Sequence, residues 1–222
     1  MKAIRSLGCA AVFVTTFSAL ASRDAGMPRM QVPTATPQEE AQQLYDDGVS
    51  YRDKATKLEA EAAAETDLKK REKLEGKAKD KHLSSIKKFQ KATEKNPAFF
   101  QAWGGLGYAY RKTGDHTAAL AAYDRSLALQ PNYTPAIEYR AEAYLGLGRL
   151  GEVKAAYLTL FNADRPRADE LAAAIETWLA ARKADAAGVP PEALEEFASW
   201  AAQRKQLASQ TSSTSQPSPA KW

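Results

Sequence analysis

The chain has 222 residues, 44% of them apolar, and a formal charge of +4 from 31 basic and 27 acidic side chains. That is enough for one domain with a real core. A single cysteine, Cys9, excludes a disulfide framework and a cysteine-built metal site.

Residues 1–21 read as a secretory signal. Lys2 and Arg5 form its charged start, Leu7 to Leu20 its apolar run, and Ala19-Leu20-Ala21 its cleavage site. The run is too short for a comfortable membrane span. Cleavage after Ala21 would start the mature chain at Ser22 and lower the charge from +4 to +2, because two basic residues leave. A near-neutral mature chain argues against nucleic acid as the partner. Cys9 follows Gly8, but Ser6 stands where a lipid-attachment signal has leucine, so a lipoprotein is not expected. Export to an oxidising compartment, the periplasm of a two-membrane bacterium, agrees with a mature chain lacking thiols.

Residues 22–36 form a polar linker with Pro28 and Pro33. Thr36-Pro37-Gln38-Glu39 then supplies a capping threonine, a proline at the first helical position and a glutamate three residues after the cap, so a helix is predicted to start at Pro37. Leu44, Gly48, Tyr51, Ala55, Leu58 and Ala62 follow at spacings of four and three, a seam at coiled-coil period.

From Trp103 onward a 34-residue period governs the chain. Trp103, Leu106 and Tyr110 share a helix face, and the small Gly107 lets a second helix approach. Gly114 can take the positive φ that ends the helix. Asp115 can cap the next one. Ala119 and Tyr123 lie on the second face, and Pro131 stops it. Ile137, Ala141, Tyr144, Gly148 and Tyr157 come 34 residues after Trp103, Gly107, Tyr110, Gly114 and Tyr123. Phe89, Ala92 and Pro97 come 34 residues before Tyr123, Ser126 and Pro131. A fixed period of this length marks stacked helix-turn-helix units.

The pattern Trp103-x2-Leu106-Gly107-x2-Tyr110, Gly114, Ala119-x3-Tyr123 and Pro131 resembles the tetratricopeptide repeat family. The resemblance implies an all-α solenoid of about three helical hairpins: an extended hairpin over 37–96 and repeats over 98–131 and 134–164. The first unit departs from the pattern. Tyr51 and Phe89 are 38 residues apart where Tyr110 and Tyr123 are 13, which leaves a 25-residue insertion. One straight helix would hold Tyr51 and Ser85 roughly 50 Å apart. A turn at Thr66-Asp67 instead gives an antiparallel coiled-coil projection. Leu68, Arg71, Leu74, Ala78, His82, Ile86 and Phe89 then face the first arm. Leu171, Ala174, Ile175 and Trp178 mark one more helix, and Ala193, Leu194, Phe197, Trp200 and Ala201 another. Together they are read as C-terminal capping helices over 165–208. Residues 209–222 carry little that could build a core and are expected to be disordered.

In this family the first helix of each unit lines a concave groove, and the resemblance implies a scaffold that binds a protein or peptide there. Matched position by position, the groove residues are Gln42, Tyr45, Val49, Arg52, Gln101, Tyr108, Arg111, Glu138 and Glu142, with Gly104 on the same face. The family's clamp for C-terminal carboxylates is not expected. Gly104 and Glu138 stand where lysine is needed, and Tyr108 and Glu142 where asparagine is needed. A second candidate is the run Thr66–Lys95, with ten lysines and Arg71 against five acids, net +6. A solvated helical face is its favoured reading; an anionic envelope or membrane surface is the less favoured partner. Self-association through the projecting hairpin is the remaining alternative, giving a structural module. His82 and His116 are the histidines, but no catalytic triad, metal-ligand pair or phosphate loop accompanies them. No enzyme activity, cofactor or metal is therefore expected.

Overall fold

A computed structural model describes residues 35–185 and 188–214. The expected signal segment with Cys9, most of the expected linker and residues 215–222 lie outside them. Eight α-helices and no strand occur among the described residues: α1 (Pro37–Ala64), α2 (Leu68–Lys95), α3 (Phe100–Lys112), α4 (His116–Leu129), α5 (Thr134–Gly146), α6 (Leu150–Ala163), α7 (Arg165–Ala184) and α8 (Pro191–Thr214). None is long and apolar enough to cross a membrane.

The capping residues act as their chemistry dictates. The Thr36 side chain accepts from the Glu39 N–H at 3.2 Å, and Glu39 accepts from the Thr36 N–H at 2.7 Å. This reciprocal box satisfies two donors at the start of α1. At its far end the chain reverses over Glu65, Thr66 and Asp67. Asp67 accepts from the Lys70 N–H at 3.0 Å, and the Arg71 guanidinium donates to the Glu65 carbonyl at 2.9 Å.

α1 and α2 form the antiparallel hairpin. Ala41, Gly48, Ala55 and Ala62 are buried along α1 at seven-residue intervals. Ala78, His82, Ser85, Ile86, Phe89, Ala92 and Thr93 face them from α2. Small residues on one side admit larger ones on the other, so the helices lie close. Polar pairs cross the seam as well: the Ser85 hydroxyl donates to the Gly48 carbonyl at 2.8 Å, and Lys88 pairs with Asp47 at 2.7 Å. Leu68 departs from expectation. It is 68% exposed, because α2 begins at the tip, just past the end of α1 at Ala64, where no partner stands opposite it.

One contact recurs from unit to unit. A Cβ added at Gly48 would lie 2.6 Å from the Phe89 ring, and one added at Gly107 would lie 2.6 Å from the Tyr123 ring. Each glycine is the slot for the large aromatic of its own second helix. In the third unit Ala141 takes the equivalent place, in the same core cluster as Tyr157. Gly114 (φ 89°) and Gly148 (φ 67°) end α3 and α5 in the left-handed conformation that glycine adopts without penalty.

α7 and α8 close the stack. Asp164 caps α7, accepting from the Arg167 N–H at 3.3 Å, and its other oxygen accepts from the Thr134 hydroxyl at 2.6 Å. α8 is anchored by one aromatic turn. Buried Phe197 stacks on Trp200, and Trp200 meets Tyr157 edge-on at 5.4 Å. α8 runs to Thr214, so residues 209–214 are helical where disorder was expected. Extending an existing helix costs far less than nucleating one, and polar serine and threonine suffice to continue it.

A tyrosine-lined groove as candidate functional site

The first helices of three successive units stand side by side and leave a cavity of about 220 Å3 between them. Tyr45 and Arg52 reach it from α1. Gln101, Gly104, Gly105 and Tyr108 reach it from α3. Tyr133, Pro135, Ala136 and Tyr139 close it from α5 and the residue before α5. The wall is aromatic and braced. Tyr108 meets Tyr139 edge-on at 5.1 Å, Tyr133 meets Phe100 edge-on at 5.0 Å, and Tyr45 packs on Phe99 at 4.9 Å.

Ion pairs lie beside the tyrosines. Arg111 pairs with Glu142 at 2.5 Å and holds its guanidinium 5.2 Å from the ring centres of both Tyr108 and Tyr139. Burial pushes the Glu142 carboxyl up, and Arg111 pulls against that shift. Glu138 is buried and accepts from Arg167 of α7, which also pairs with Glu170 at 3.0 Å and lies 5.6 Å from the Tyr139 ring. Desolvation raises Glu138 to about 7 despite Arg167.

A carboxyl raised in the fold contributes stability that is complete below its ordinary value of 4.5 and is lost as pH rises through about 7. Between pH 5.5 and 7.5 that loss is on the order of 2 kcal/mol. Glu138→Gln keeps the shape and removes the titration. Denaturant melts at the two pH values should therefore show the wild type losing about 2 kcal/mol more than the variant. The other shifted groups, Glu142, His82 and His116, are present in both proteins and cancel. Parallel losses would mean that Glu138 does not hold its proton in the fold.

The nine residues expected in the groove separate into three sets. Tyr45, Arg52, Gln101 and Tyr108 line the cavity together. Arg111, Glu142 and Glu138 sit behind the wall, the first two paired with each other and Glu138 accepting from Arg167, and they hold the helices to one another. Gln42 and Val49 stand apart. Gln42 is exposed and bonded to Asp46 at 2.9 Å, while Val49 packs toward the Phe89 cluster. Tyr133, Pro135 and Tyr139 were missed. Shifting Gln101 by 34 gives Pro135, and shifting Gly105 gives Tyr139, so the period itself held that signal. Arg167 lacked one, because its helix falls outside the clear repeats.

Neither histidine lines the groove. His82 is fully buried in the hairpin seam, 3.0 Å from Glu59, which also pairs with Lys112 of α3 at 2.8 Å. Burial pushes both His82 and His116 down, against the pull of Glu59 on the first and Asp115 on the second. The His82–Glu59–Lys112 chain ties the hairpin to the second unit. Among the described residues no group of three or more His, Cys, Asp or Glu stands where it could hold a metal.

Residues 80–134 match the family model of the tetratricopeptide repeat. No curated protein matches the chain. The matched segment runs from the later part of α2 through α3 and α4 to the first residue of α5, and holds the slot glycine Gly107, the slot aromatics Phe89 and Tyr123 and the capping glycine Gly114. Repeats of this family serve protein–protein interaction, which agrees with a scaffold. Residues 80–134 form a tetratricopeptide-repeat segment of an all-α helical stack.

Proposed function

We propose that the protein is an exported, non-catalytic scaffold whose groove holds an extended segment of a protein partner. The observation that carries this is the cavity built by three successive units and lined by Tyr45, Tyr108, Tyr133 and Tyr139. Tyrosine offers large contact area with little rotamer entropy to lose and a hydroxyl that serves a peptide backbone. Arg52 and Gln101 add polar groups at the rim that fix the segment's register.

Replacing Tyr108 and Arg52 together by alanine should weaken the partner recovered by crosslinking from native envelopes about thirtyfold, or ~2 kcal/mol. Reversing Lys69, Lys70 and Lys73 should instead change association rate and salt dependence. Full affinity in the Tyr108/Arg52 variant beside a large loss in the lysine variant would move binding to the hairpin. The export part rests on the sequence of residues 1–21. N-terminal sequencing of the mature protein should begin at Ser22, and a retained Met1 would overturn it.

A further inference from the structure

The two C-terminal helices leave a furrow between them. α7 and α8 run antiparallel and meet where Phe197 packs edge-on against Trp178 at 6.0 Å. Beyond that contact the space is open. Leu179, Ala180, Leu194 and Ala198 border a void of about 360 Å3. Ala172, Ile175, Leu179, Ala198 and Ala201 border another of about 200 Å3. Leu179, Ala198 and Glu176 line both, so the two are one furrow. From Ala172 to Lys183 it follows α7 for about 17 Å, the length of three helical turns.

Its floor and its rim differ in chemistry. The floor is aliphatic, and Ala172, Ala180, Ala198 and Ala201 are small enough to let another backbone come close. The rim holds Arg182, Lys183, Arg204 and Lys205 against Glu176 and Glu195. Lys205 and Glu176 pair with each other at 2.7 Å. The rest of the rim is predominantly basic. The Nε groups of Arg182 and Arg204, and the indole N–H of Trp178, are also buried donors with no acceptor among the described residues.

We propose that this furrow docks a short amphipathic helix of a protein partner, with an apolar seam and acidic flanks. The seam would cover Leu179, Leu194 and the alanines, as an apolar helix face fills a hydrophobic groove. The flanking carboxylates would meet Arg182, Lys183 and Arg204 and accept from their guanidinium and ammonium groups. This surface is separate from the tyrosine groove, so a scaffold with both could hold two partners.

The probe is a labelled 16-residue synthetic helix with leucines at i, i+3, i+4 and i+7 and glutamates on both flanks. Its twin carries lysines in place of the glutamates. Fluorescence anisotropy with the full chain should show the acidic helix binding at least tenfold more tightly than the basic one. Arg182→Glu combined with Arg204→Glu should reverse that preference. Ala198→Phe, which fills the furrow, should abolish binding of the acidic helix, with circular dichroism confirming that the helices persist. If Ala198→Phe displaces α8, the charge reversal decides alone. Equal binding of the two helices, or an unchanged preference after charge reversal, would overturn the proposal. So would a sedimentation mass showing a dimer that Ala198→Phe dissociates, because the occupant would then be a second copy of this chain.

Discussion

Replacing Gly107 by leucine should leave the protein unable to fold cooperatively. A Cβ alone would sit 2.6 Å from Cε1 of Tyr123, and that ring is fully buried with no space to retreat into. Leucine adds three further carbons to the same overlap. Overpacking a good core costs about 1–3 kcal/mol or more, and this clash lies on the axis by which α3 meets α4. The loss should therefore reach several kcal/mol, most of what a domain has. Gly76 is the control. It lies mid-helix in α2 with nothing within 4 Å of an added Cβ. Gly76→Ala should raise stability by about 0.5–1 kcal/mol through the better helix propensity of alanine. Denaturant melts of both variants measure this. Equal midpoints would mean that α3 and α4 do not meet at Gly107.

Arg111→Ala should destabilise the fold by roughly 3 kcal/mol. The side chains of Arg111 and Glu142 are only 12% and 22% exposed. Truncation leaves Glu142 unpaired in a place that already disfavours its charge, and it removes the cation over Tyr108 and Tyr139. The companion variant Arg111→Met with Glu142→Leu removes both charges and keeps the volume, so it should recover most of the loss. Urea melts of the single and double variants test this. A single variant as stable as the wild type would show that the pair contributes nothing to the fold. Affinity changes in Arg111→Ala should also not be read as lost partner contact, since the Tyr108–Tyr139 wall rests on Arg111.

The period made the fold legible. A small slot residue facing a large aromatic, Gly107 with Tyr123 or Ala141 with Tyr157, recurs where two helices cross at the same distance, and a glycine such as Gly114 recurs where a helix ends in the left-handed conformation. The hairpin followed from a count, because 25 additional residues without a proline cannot return to Phe89 except by a turn. The tip was less legible. Leu68 looks like seam by its spacing, but whether anything stands opposite depends on where α1 ends. The groove was half legible. Matching by position found Tyr45 and Tyr108 but assigned Arg111, Glu138 and Glu142 to partner contact. Whether a charged side chain meets a partner or another helix depends on what lies across from it. For Glu138 that neighbour is Arg167, on a helix outside the repeat. Gly104 shows the same dependence. It lies on the groove face, yet a Cβ there would come within 3.0 Å of Tyr133, so even alanine would press on the wall.

The central claim is that partners bind in the tyrosine groove, and site-specific photocrosslinking tests it most directly. A photoreactive amino acid would be placed at Tyr139, inside the cavity, and separately at Lys73, on the projecting hairpin. Each protein would be irradiated in the cells that produce it. The account predicts a discrete crosslinked partner from position 139 that is lost when Tyr108 and Arg52 are replaced by alanine, and none of that adduct from position 73. Crosslinks from position 73 alone, with position 139 silent, would contradict it and place recognition on the hairpin.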